Sequence, residues 1–103
     1  MDHSASIQIR SRKDFQSVLM ETLMLARQHR ASWPNFPPFE NIIRQLEAMS
    51  TWTANDRVPS TDERSSIDVA LVAVRDLKSD PDPKVQDLCN RLFMLNAFFD
   101  DLT

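Results

Sequence analysis

Apolar residues recur at spacings of three and four along most of the chain, the period of a helix that buries one face. The first such segment is expected from about Ser11 to Ser32. Its stripe is Phe15, Leu19, Thr22, Leu23, Ala26 and Arg30; Ser11 is placed to cap it, and Asp14 meets the positive end of the helix dipole. Trp33-Pro34-Asn35-Phe36-Pro37-Pro38 then stops it. Prolines this dense cannot continue a helix, whereas Pro37 or Pro38 suits the first turn of the next one. A second helix is expected over about Pro38 to Thr53, with Phe39, Ile42, Ile43, Leu46, Met49 and Thr53 facing inward.

Ala54 to Pro59 reads as a polar connection. Ser60 followed by Glu63 is a capping box, in which the two side chains satisfy each other's free backbone donors, so a third helix is expected from Ser60 to about Ser79. Its stretch Ile67 to Val74 is apolar and β-branched enough that a buried strand competes; the cap and the length of the segment favour helix. Ser79-Asp80-Pro81-Asp82-Pro83 ends it and starts a fourth, whose stripe is Val85, Leu88, Cys89, Leu92, Leu95 and Phe99. No single stripe hides its own apolar surface. The expected fold is therefore all-α, an antiparallel four-helix bundle with short proline-containing turns, with Leu46, Leu71 and Leu92 among its central leucines. Residues 1–10 are expected to be a flexible N-terminal extension and residues 11–103 a single helical domain, since 103 residues at 42% apolar content support one core.

Composition narrows the chemistry. The chain has no glycine. Loops that wrap phosphate, nucleophile elbows and tight hairpins depend on positive φ or a missing Cβ, so P-loop, dinucleotide-fingerprint and Gly-x-Ser-x-Gly chemistries are excluded. A net charge of −3 argues against a nucleic-acid or anionic-membrane surface. No apolar run reaches membrane-spanning length and the first residues do not resemble a signal peptide, so a cytoplasmic location is expected. Cys89, alone in the chain, reads as a small buried hydrophobe. His3 falls in the N-terminal extension and His29 in the last turn of helix one, where a cation meets the dipole favourably. Neither joins a metal-ligand spacing, and Ser65 and Ser66 have no neighbouring base. Asp80, Asp82, Asp100 and Asp101 stand at helix ends or in the tail, where carboxylates cap helices or face solvent. No catalytic residue, metal site or cofactor is expected.

A binding surface is the better prospect. In helix three, Asp62, Val69, Val72 and Asp76 fall off the Ile67, Ala70, Val74 stripe, and in helix four Asp87, Arg91, Met94 and Phe98 do the same. An apolar strip with a charged rim suits a protein partner, because burial supplies affinity and the rim selects. Asp62, Val69, Val72, Asp76, Asp87, Arg91 and Phe98 are thus the expected partner-binding residues. The competing reading of Val69 and Val72 is that helix three is central and buried on both sides. Met20 and Met24, on the outward side of helix one, form an alternative face suited to a less specific contact.

The order of elements resembles the small α-helical immunity proteins of bacterial type VI secretion, the type that protects a cell from its own NAD(P)+-hydrolysing effector. The likeness covers about Lys13 to Phe99. It consists of an amphipathic helix ending at Trp33-Pro34, a second helix opening Phe39-Glu40-Asn41-Ile42-Ile43, an apolar third closing on Val74-Arg75-Asp76-Leu77, and the turn Asp80-Pro81 into the last. The chain departs from that pattern by an N-terminal extension of about ten residues and an extra proline in the last turn. The resemblance implies a stoichiometric inhibitor that covers the NAD(P)+ cleft of a cognate toxin domain and performs no reaction. A helical adaptor, or a module that pairs with a second copy of itself through the same strips, is the alternative from the residues alone.

Overall fold

The computed structural model describes residues 8–102, and throughout them the regular structure is helical, with no strand. The expected N-terminal extension lies outside the described residues for residues 1–7, and His3 with it. Helix α1 spans Arg12–Ser32 and is capped as its sequence requires: Ser11 Oγ accepts from the Asp14 backbone N–H at 3.1 Å. Helix α2, Pro37–Trp52, opens on its prolines. The start of α1 lies against the end of α2, where Arg12 and Gln16 donate to the carbonyl and hydroxyl oxygens of Thr53 at 3.2 and 2.8 Å. The opposite ends meet through Arg30 and Glu40 at 2.9 Å.

The connection after α2 makes a short 3-10 turn, Ala54–Asp56, in which Asn55 and Asp56 have φ of 57° and 61°. In a chain without glycine, Asn and Asp are the side chains that best tolerate this left-handed geometry. Helix α3, Thr61–Ser65, begins with the expected capping box: Ser60 Oγ accepts from Glu63 N–H at 3.1 Å, and Glu63 Oε1 accepts from Ser60 N–H at 2.9 Å.

The expected helix from Ser60 to Ser79 is not continuous. It stops at Ser65 and restarts as α4, Val69–Val72, which widens into a π turn over Ala73–Leu77 closed by Lys78 N–H to the Ala73 carbonyl at 2.8 Å. Ser65 and Ser66 turn their hydroxyls back onto the carbonyls of Thr61 and Glu63, the habit that makes serine a poor interior helix residue. The backbone donors released by the break are taken by side chains from elsewhere. Asp68 N–H donates to Gln45 Oε1 of α2 at 2.7 Å, and Ala70 N–H donates to the buried Asn96 Oδ1 of the last helix at 2.9 Å.

That last helix, α5, spans Pro83–Asp100 and is capped by Asp82, whose Oδ1 accepts from Lys84 N–H at 2.9 Å. It packs on α1, α3, α4 and the π turn, so α5, and not the third segment, is the central helix. Phe15, Leu19, Phe39, Ile42, Leu46, Met49, Val69, Leu77, Leu88, Leu92, Leu95 and Phe99 are fully buried around it. The molecule measures 37 × 35 × 20 Å, and at about 10 Å per helix it is two helices thick. Each long helix therefore keeps an outward side, which makes the residues on those sides the ones to examine for function.

Candidate partner-binding surface

The break between α3 and α4 reassigns the faces of the third segment. Ile67 and Val69, two residues apart, are both buried, which a continuous helix with one buried face does not give because it would set them about 200° apart. Val69 and Val72, expected on an outward strip, are 0% and 1% exposed, whereas Leu71 and Val74, expected inside, are 55% and 50% exposed. Two of the expected contact residues are therefore core residues. Their burial follows from the changed phase and not from a helix enclosed on both sides.

Among the other expected contact residues only Asp87 and Arg91 are joined to each other by a side-chain bond. Asp62 is exposed on α3 and makes no side-chain bond to any of the rest. Asp76 accepts from its neighbour Arg75 at 3.0 Å. Asp87 and Arg91 are brought together at 3.0 Å, and Arg91 also reaches Glu21 of α1 at 3.0 Å, so this guanidinium clamps α5 to α1. Phe98 is half-buried with its ring 5.3 Å from that of Phe15, and Met94 is likewise half-buried. Met20 and Met24 are where the sequence places them, 50% and 59% exposed on the outward side of α1.

An apolar groove that the sequence pattern did not reveal lies beside the break. Leu71 of α4 faces Phe93 and Ala97 of α5 across it, and its ionisable lining residues are Asp68 and Asp100. Neither carboxylate has a cation within ion-pair distance among the described residues. Asp68 instead accepts from Gln45 Nε2 at 2.6 Å, and Asp100 from Asn96 Nδ2 at 3.3 Å. Burial, then the charge of Asp101, hold the Asp100 carboxyl above the usual carboxylate range, and the opposing pull of Arg64 is weaker. Arg64 is itself occupied, donating to the carbonyls of Pro59 and Leu102 at 2.9 and 2.8 Å. The only local sign of the break in the sequence was the Ser65-Ser66 pair ahead of the apolar run, because Asp68 at the restart makes no side-chain capping bond.

A second groove, of about 560 Å³, lies between the end of α1 and the start of α5. Its charges are mixed, Asp82, Lys84 and Asp87, and the exposed Trp33 on its wall packs its ring against Phe36 and Phe39. His29, in the last turn of α1 as expected, stacks on Phe39 with ring centres 5.4 Å apart. The remaining chemistry is structural. Cys89 is buried and its thiol is pushed up by that burial, which disfavours the reactive thiolate. Hydrogen bonds from Arg57 and from the Ser60 N–H hold Glu63 below its usual value, as a capping carboxylate should be. Among the described residues there is no cluster of His, Cys, Asp or Glu arranged to hold a metal ion, and no helix long and apolar enough to cross a membrane.

No curated protein and no solved structure matches the chain. The family model Tsi6 matches residues 15–97, from the first core phenylalanine in α1 to the last turn of α5, and so reaches into every helix just described. The chain belongs to the Tsi6 family of type VI secretion immunity proteins.

Proposed function

We propose that this protein protects its cell by capturing a cognate toxin domain one-to-one, in the cytoplasm, and covering the toxin's active site. The observation that carries the reading is the family match, which spans nearly the whole helical region. The toxin class we infer is an NAD(P)+ glycohydrolase, on the likeness of the Trp33-Pro34, Phe39 to Ile43, Val74 to Leu77 and Asp80-Pro81 elements. The protein's part is then to bind and exclude, with no reaction of its own. Leu71 and Val74, exposed three residues apart on one segment, support this, since neighbouring apolar residues on a surface are the form a protein-binding site takes. Of the contact residues expected from the sequence, Asp62, Asp76, Asp87 and Phe98 keep surface in the free protein and stay available to a partner; Val69 and Val72 do not.

Co-expression with the effector encoded beside it tests the reading. Cells that make both should grow and keep their NAD(P)+ pool, and the purified proteins should sediment as a one-to-one complex. If NAD(P)+ falls as fast as with the effector alone, the immunity reading fails. The adaptor reading then takes over, with Met20 and Met24 as the face for a second copy, and sedimentation of the protein alone shows whether it dimerises.

A further inference from the structure

The break at Ser66 to Asp68 is held by two amides from two different helices. Gln45 takes the Asp68 N–H, Asn96 takes the Ala70 N–H, and Gln45 also bonds the Asp68 carboxylate. What this clamp accomplishes is a register that turns Leu71 and Val74 outward, three residues apart on one side of the segment. A π turn follows directly, and such turns often accompany functional surfaces. Polar groups thus hold in place an arrangement that buries Ile67, Val69, Val72 and Leu77 and leaves two large aliphatics, Leu71 and Val74, in water.

We propose that the groove of Leu71, Phe93 and Ala97, flanked by Asp68 and Asp100, is where the toxin domain docks, and that it receives an apolar side chain with an arginine or lysine beside it. This rests on the immunity reading and names its face. The apolar part of the partner covers Leu71 and Val74. Its cation meets Asp68 and Asp100, whose charges the fold leaves without an ion-pair partner among the described residues. Desolvation and the neighbouring Asp101 raise the proton affinity of Asp100, so a cation brought beside it would offset a cost that the free protein carries. A toxin cleft that binds a nucleotide's phosphates carries such cations. Beyond Val74 along the chain Arg75 is paired with Asp76 and Lys78 is exposed, so the charge of the segment changes from Asp68 towards Lys78 and favours one orientation of the partner. The groove beside Trp33 offers no such match, because its charges are mixed and its aromatic wall already packs on the core.

The test uses the purified toxin domain of the neighbouring effector and measures its affinity for the full chain by calorimetry. Leu71→Glu and Ala97→Arg, both at exposed positions, should each keep the wild-type melting curve and weaken binding by about 30-fold or more, the loss expected of a buried anchor. Asp100→Lys should weaken binding in 50 mM NaCl and less so in 500 mM, as an unscreened charge contact does. Met20→Glu with Met24→Glu should leave affinity unchanged. If the wild type binds and the folded Leu71→Glu and Ala97→Arg variants bind equally well, the face is wrong and the immunity reading stands. If the wild type neither binds nor protects, both fall. If Leu71→Glu dissociates a wild-type dimer without affecting toxin binding, the groove belongs to a second copy and the proposal is overturned.

Discussion

Replacing Asn96 by alanine should show whether the amide clamp sets the register of the third segment. Asn96 is buried on α5, and its Oδ1 accepts the Ala70 N–H at 2.9 Å, one of the donors that the start of α4 leaves without an intrahelical partner. Truncation removes that acceptor while changing little apolar packing, so the cost is that of an orphaned donor at a part-buried site, about 1–3 kcal/mol. In a domain of this size each kcal/mol lowers the melting midpoint by about 4–8 °C. Asn96 also donates to Asp100 Oδ2, at 3.3 Å. Asp100→Asn is therefore the control, because it alters that second contact and leaves the Ala70 bond in place. Thermal unfolding followed by circular dichroism gives the stability change, and amide hydrogen exchange at Ala70 gives its location. Asn96→Ala should melt lower and lose protection at Ala70 first, whereas Asp100→Asn should do neither. An Asn96→Ala protein with unchanged melting and a protected Ala70 amide would refute the clamp.

Two further outcomes follow from burial and charge. Leu46→Ala and Leu92→Ala, at fully buried positions, should each cost about 2–5 kcal/mol in urea unfolding, whereas Leu71→Ala, more than half exposed, should change stability by less than about 0.5 kcal/mol; equal losses at all three would mean the third segment is a continuous helix after all. For Asp100, burial and Asp101 raise the folded pKa above the unfolded one, so the native state binds its proton more tightly and the group's contribution to stability is lost as pH rises through that window. Asp100→Asn should therefore raise the melting midpoint at pH 7, and the gain should fade as pH drops through 3.8 and the carboxyl becomes protonated in both states; a gain that persists in stronger acid would assign the effect to something other than charge.

Local chemistry is what the sequence by itself determined. Ser11 with Asp14, the Ser60–Glu63 box, Pro37 and Asp82-Pro83 each satisfy or relieve backbone groups within a few residues, so the helix starts, the proline stops and the all-helical class could be read directly. The stripes of α1, α2 and α5 were legible for a related reason: an unbroken helix carries its phase from one turn to the next, and Phe15, Leu46 and Leu92 all lie inside as that phase requires. The third segment was different, because its phase changes at Ser66 to Asp68. Whether serines at that point end a helix depends on who receives the freed backbone donors. Those receivers are Gln45, 23 positions before Asp68, and Asn96, 26 positions after Ala70. No window along the chain contains them. Tertiary structure alone therefore decided that Val69 and Val72 go inside and Leu71 and Val74 outside, and with them which surface is left for a partner.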